Sequence, residues 1–124
     1  MPLFDDYFRH LKDFLNEFTE LGKFLREEVK KYSAGMRARL AFGISLMINF
    51  ECYLVDEITA VGDIAFQEKC KHELFVNRAD KTMLIVSHEE EVIRSYCNRF
   101  FLIDNGALTE FNNADEAYSF YESI

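Results

Sequence analysis

Apolar residues between Phe4 and Leu25 recur every three or four positions (Phe4, Phe8, Leu11, Phe14, Leu15, Phe18, Leu21, Phe24, Leu25), the period of an amphipathic helix. Gly22 is placed to break it, so the stretch predicts one long helix or two short ones. Ser33, Ala34 and Gly35 are small or hydroxyl residues suited to a helix start, and Met36 to Phe50 then runs apolar nearly all round, which predicts a buried helix. Cys52-Tyr53-Leu54-Val55 is a short continuous apolar run that stops at Asp56-Glu57. It predicts a parallel strand covered on both faces, with two carboxylates at its C-terminal end.

Asp63 can cap a helix reaching about Asn77, and Thr82 to Val86 is a second β-branched apolar run. Ser87 is placed to start a helix carrying Glu89, Glu90 and Glu91 in its first turn. Arg99 to Ile103 and Ala107 to Phe111 flank the turn pair Asn105-Gly106 and predict a hairpin, followed by a helix from Ala114 to Tyr121 capped by Asn113. The fold class is therefore α/β, with a helical front end, parallel strands alternating with helices, and a closing hairpin and helix.

The 124 residues suffice for one globular domain at most, and 49% apolar with 29% charged residues is the balance of a folded chain. Fourteen basic against 22 acidic residues leave a net charge of −8, the wrong sign for neutralising nucleic-acid phosphates. Nucleic acid is thus not an expected partner. Cys52, Cys70 and Cys97 are odd in number and widely spaced, and no basic-then-apolar leader opens the chain; they read as buried thiols of a reducing cytosol. Cys70-Lys71-His72 offers two soft ligands without a second pair, which does not make a zinc site. The longest mostly apolar run, Leu40 to Phe50, is about half of the roughly 20 residues needed to cross a bilayer.

In an open α/β sheet, ligands collect beyond the carboxyl ends of the strands, and there this sequence has Asp56, Glu57, Ser87 and His88. Two adjacent carboxylates at a strand end point in different directions, so one can hold a hydrated Mg²⁺ while the other faces a water poised for attack. The plain alternative is a strand ending in solvent. Ser33-Ala34-Gly35 at a helix mouth can offer backbone N–H groups to a phosphate, or can be an ordinary N-cap. His88 alone reads equally as a hydrogen-bonded loop residue.

Order and spacing bring these pieces together: Tyr32-Ser33-Ala34-Gly35-Met36, the apolar run into Asp56-Glu57, Thr59-Ala60-Val61-Gly62-Asp63, and Ser87-His88 follow in one succession. This resembles the second half of the ATP-binding subunit of an ABC transporter, with its signature sequence, Walker B strand, D-loop and switch histidine, over roughly residues 17 to 112. Phe18-Thr19-Glu20-Leu21-Gly22, the Tyr-Ser-x-Gly-Met signature, Arg39-Leu40-Ala41-Phe42 and Ile58-Thr59-Ala60-Val61-Gly62-Asp63 look like the branch exporting capsular and related surface polysaccharides.

The resemblance implies a truncated P-loop NTPase fold, with residues 1–50 as the helical signature subdomain and 51–124 as the C-terminal part of the α/β core. It implies that Asp56 holds Mg²⁺ through water, that Glu57 orients or deprotonates the attacking water, and that His88 contacts the γ-phosphate of ATP. Ser33, Ala34 and Gly35 would meet a nucleotide held by a second copy of the subunit, and Asp63 would lie at that two-fold interface. A membrane-spanning permease would be the other partner, placing the protein peripherally on the cytoplasmic side of the bacterial inner membrane.

No G-x-x-x-x-G-K-[ST] sequence occurs: none of Gly22, Gly35, Gly43, Gly62 and Gly106 precedes Lys-Ser or Lys-Thr. The expectation is a fragment whose catalytic residues are present but which is inactive alone. The alternative is a non-catalytic interaction module that keeps this fold for docking.

Overall fold

A computed structural model describes residues 2–57 and 62–124, so the Ile58 to Val61 part of the predicted D-loop lies outside the described residues. The chain forms two compact units, one of residues 1–53 and 58–82, the other of residues 54–57 and 83–124.

In the first unit, helix α1 (Pro2–Thr19) is followed by 3₁₀ turns at Gly22–Arg26 and Val29–Lys31, helix α2 (Ala34–Met47), and helix α3 (Ile64–Lys71), which runs on as a π turn over His72–Val76. The predicted break is real: Glu20 and Gly22 both take left-handed backbone, φ 56° and 53°, and end α1 as helix C-termini commonly end. Phe18 is the hub of the core. Its ring stacks on Phe14 and Phe42 and meets Phe66 at 5.3 Å, while Phe66 and Cys70 are almost wholly buried. Gly43 sets how closely α1 and α2 approach, since a β-carbon there would lie 2.9 Å from Leu15 Cδ1 and 3.0 Å from Thr19 Cγ2. Arg78 closes the far end of α2, donating to the carbonyl of Leu46 at 2.7 Å, where a cation complements the helix dipole.

Strand β1 (Cys52–Asp56) crosses from the first unit into the second and pairs with strand β2 (Thr82–Val86). The N–H of Glu57 donates to the carbonyl of Val86 at 3.1 Å, which sets the carboxyl ends of the two strands side by side, as in a parallel pair. Helix α4 (Glu90–Tyr96), strands β3 (Phe100–Asp104) and β4 (Ala107–Phe111), and helix α5 (Ala114–Ser123) complete the second unit. The β3–β4 hairpin is antiparallel, with Phe100 opposite Phe111 and Asp104 opposite Ala107. Asn105 and Gly106 both have positive φ, 47° and 80°, as a two-residue hairpin turn requires. Asn113 caps α5 by accepting from the N–H of Glu116 at 2.9 Å, as its sequence position predicts. The β1–β2 and β3–β4 pairs are separate sheets, and a groove of about 400 Å³ lies against β2 and β3, lined by Ile85, Val86, Phe101, Ile103 and Tyr118 among others.

Four expectations are corrected. Helix α2 is not buried all round: Gly43 and Leu46 are buried but Ile44 is 45% exposed, because α1 covers one side of the helix and no other described apolar element covers the rest. Strand β1 is covered on one face rather than two, with Tyr53 and Val55 buried and Leu54 78% exposed. Helix α4 begins at Glu90, not at Ser87, whose hydroxyl instead accepts from the N–H of Glu89 in a tight local turn that competes with helix formation. Of the cysteines only Cys70 is buried; Cys52 is exposed on β1.

Candidate functional site

The second unit gathers the strand-end groups. Asp56 is the last residue of β1 and is exposed, and Glu57 follows it in left-handed backbone, φ 50°, a conformation that costs a non-glycine residue about 1 kcal/mol or more and is concentrated at functional sites. This turn aims the Glu57 carboxylate across to the end of β2. Its Oε1 accepts a hydrogen bond from the backbone N–H of His88 at 3.1 Å, and the His88 Nε2 lies 3.5 Å from the same oxygen. The Glu57 side chain is 31% exposed and the imidazole 88% exposed, so a partly shielded carboxylate oxygen is held by the backbone N–H while the exposed ring lies beside that same oxygen. A carboxylate held in one orientation by a backbone donor is able to act as a base.

A lone exposed Asp56 suits Mg²⁺, which keeps several waters and takes one or two protein carboxylates together with substrate phosphates. Among the described residues no three His, Cys, Asp or Glu side chains converge as a ready cage for a metal, so most of the ligands would come from water and phosphate.

The first unit holds the other predicted residues. Ser33 is the N-cap of α2, its Oγ accepting from the N–H of Met36 at 3.2 Å, and Ser33, Ala34 and Gly35 are all exposed. A β-carbon built on Gly35 would meet nothing within 4 Å, so no packing inside the chain calls for glycine there. The helix N-terminus is open to a group arriving from outside, with its N–H groups and dipole directed at it. Asp63 caps α3, accepting from the N–H of Phe66 at 2.9 Å through Oδ1, and its Oδ2 lies 3.5 Å from Arg39 Nη2.

Arg39 is the residue whose role sequence reading missed. From the middle of α2 it donates to the Thr19 carbonyl at 3.3 Å, pairs with Glu20 and Asp63 at 3.5 Å each, and stacks over the Phe66 ring at 4.5 Å. The available signal was a cation set in an apolar helical run.

No protein-family model matches the chain. It is 46% identical over 115 residues, 93% of its length, to the capsule polysaccharide export ATP-binding protein CtrD of Neisseria meningitidis, of which it covers 53%. It is 51% identical over 108 residues, 87% of its length, to the ATP-binding protein BexA of Haemophilus influenzae, covering 50% of that protein. It is 42% identical over 111 residues, 89% of its length, to the polysialic acid transport ATP-binding protein KpsT of Escherichia coli, covering 51%. The chain is thus a relative of ATP-binding proteins of polysaccharide export and spans about half the length of the curated relatives it matches.

Proposed function

We propose that this chain is the C-terminal portion of the ATP-hydrolysing subunit of an ABC transporter that exports a capsular or other surface polysaccharide. The hold of the His88 backbone on the Glu57 carboxylate carries the reading, because it joins the tails of two separate strands at the point where a base and a phosphate sensor are needed. The names of its relatives support the transport assignment.

In this reading Glu57 orients the attacking water and takes its proton, its carboxylate kept in one orientation by the His88 N–H. The exposed His88 imidazole meets the γ-phosphate. Asp56 would hold Mg²⁺ through water; when bound, the ion neutralises phosphate charge. Ser33, Ala34 and Gly35 present the α2 N-terminus to nucleotide anchored on a second copy, and Asp63 lies at the same two-fold contact. The phosphate-binding loop comes from sequence outside this chain. On this proposal the subunit works with a membrane-spanning permease from the cytoplasmic face; among the described residues no helix is long and apolar enough to cross a membrane.

The test is Glu57→Gln in the complete subunit. ATP should bind as before while turnover falls by about 10²–10⁴-fold, the span of general-base contributions. Hydrolysis at the parent rate would remove Glu57 from the role of base.

A further inference from the structure

The carboxyl ends of β1 and β2 are joined by two hydrogen bonds with different kinds of acceptor. In a parallel pair, a residue that donates its N–H to one carbonyl accepts, at its own carbonyl, from the residue two positions further along the partner strand. Glu57 begins such a rung by donating to the Val86 carbonyl at 3.1 Å, and the residue two positions beyond Val86 is His88. The His88 N–H goes to the Glu57 carboxylate, also at 3.1 Å. With left-handed backbone, φ 50°, Glu57 has left the extended geometry of a ladder, and its side chain takes the rung that its carbonyl would hold.

A carboxylate in such a position is held only as well as its donor is aimed. Ser87 and His88 alone separate the end of β2 from Glu89, the N-cap of α4. Glu89 is fixed from both sides: its N–H donates to the Ser87 hydroxyl at 3.0 Å, and its carbonyl accepts from the N–H groups of Val92 and Ile93 at 3.1 and 3.3 Å, at the start of a helix that buries Val92. His88 thus lies between two anchors, the Val86 carbonyl and the Glu89 N–H, and these set the direction of its own N–H. Alanine at position 87 would remove the side-chain acceptor that competes with helix formation, letting α4 start earlier and turning the His88 N–H along the helix axis and away from Glu57.

We infer that Ser87 is a positioning residue for the proposed base: by bonding Glu89, its hydroxyl sets the turn that aims the His88 N–H at the Glu57 carboxylate. The inference rests on the proposed ATPase function. In this role Ser87 touches neither nucleotide nor attacking water; it acts through the backbone of His88, independently of the imidazole.

Ser87→Ala and Ser87→Thr in the complete subunit test this, with Ser87→Ala also built onto Glu57→Gln. Ser87→Ala should lower kcat at least about tenfold with KM for ATP within about twofold, since a displaced base costs turnover and not binding. Ser87→Thr keeps a hydroxyl on the same carbon and should recover most of that loss. In the Glu57→Gln background, Ser87→Ala should change the remaining turnover by less than about twofold, because the group it positions is no longer a base. Parent kcat in Ser87→Ala, or Ser87→Thr as slow as Ser87→Ala, overturns the inference. A further loss of about tenfold in the Glu57→Gln background also overturns it, because independent effects multiply and Ser87 would then support the fold in general. If Glu57→Gln loses turnover while Ser87→Ala does not, only the role of Ser87 fails; if Glu57→Gln turns over normally, the proposed function fails and takes this inference with it.

Discussion

Glu57 and His88 sit 31 residues apart in sequence, yet the Glu57 carboxylate accepts the His88 backbone N–H at 3.1 Å and lies 3.5 Å from the imidazole. The two contacts are separable, because the backbone donor survives any side-chain change. His88→Ala in the complete subunit should therefore keep Glu57 in place and lose only the ring. Steady-state turnover is expected to fall at least about tenfold with nucleotide binding retained, and unchanged turnover would leave His88 as a loop residue whose backbone alone matters.

The two glycines of α2 should respond in opposite ways. Gly35→Ala adds a methyl group to open space, so the melting temperature should hold or rise slightly while turnover of the complete subunit drops, the methyl now standing where a phosphate must approach. Gly43→Ala pushes against Leu15 and Thr19, and overpacking of about 1–3 kcal/mol should outweigh a gain of about 1 kcal/mol in helix propensity. Thermal melts compared with ATPase rates separate the two; equal effects on stability would contradict the packing described for α1 and α2.

Thiol chemistry should sort the cysteines by environment. Burial pushes the Cys70 thiol up to about 12 and also raises Cys97, whereas Cys52 is exposed. Alkylation of the 124-residue chain near pH 8, mapped by mass spectrometry, should mark Cys52 first and Cys70 last, because reaction needs both access and thiolate. Early modification of Cys70 would mean that the core around Phe18 and Phe66 opens readily.

The hairpin carries a pH-dependent pair. The guanidinium of Arg99 donates to both carboxylate oxygens of Glu110, at 2.8 and 3.2 Å, and holds that carboxyl below the usual glutamate range. A depressed carboxylate stabilises the fold above its unfolded-state pKa, and the contribution is lost as pH falls through the lowered folded value. Arg99→Gln should thus melt below the parent at neutral pH, with the gap closing on acidification below the glutamate range. A constant gap would assign the effect to packing of Arg99 over Phe101 instead.

The chain by itself should hydrolyse ATP no faster than buffer, because without a phosphate-binding loop the nucleotide loses its main backbone and lysine contacts. Any association should come from exposed apolar groups such as Phe4, Phe8 and Leu54 and should ignore Mg-ATP. Light scattering with and without Mg-ATP decides; nucleotide-dependent dimers would show that these residues suffice to hold ATP.

Features set within a few residues of one another were legible in the sequence alone: the caps at Ser33, Asp63 and Asn113, the break near Gly22 and the Asn105-Gly106 turn. Each depends on a side chain reaching a backbone group two or three positions away, or on one residue's tolerance of positive φ, and neither needs a distant partner. The order of motifs likewise carried the kinship to ATP-binding export proteins, since order is a property of the chain itself. Only the tertiary structure decided the rest. Ser87 looks like a helix cap until its hydroxyl is seen to bond Glu89, and Arg39 looks like any surface arginine until Thr19, Glu20 and Asp63, more than a helical turn away in either direction, close around it. Apolar periodicity states which face of an element seeks cover but not whether a neighbour supplies it, and so Leu54 and Ile44 are apolar and exposed while Thr19 is polar and wholly buried. Burial and long-range ion pairing are properties of what packs beside a residue, and that is fixed by the path of the backbone through space.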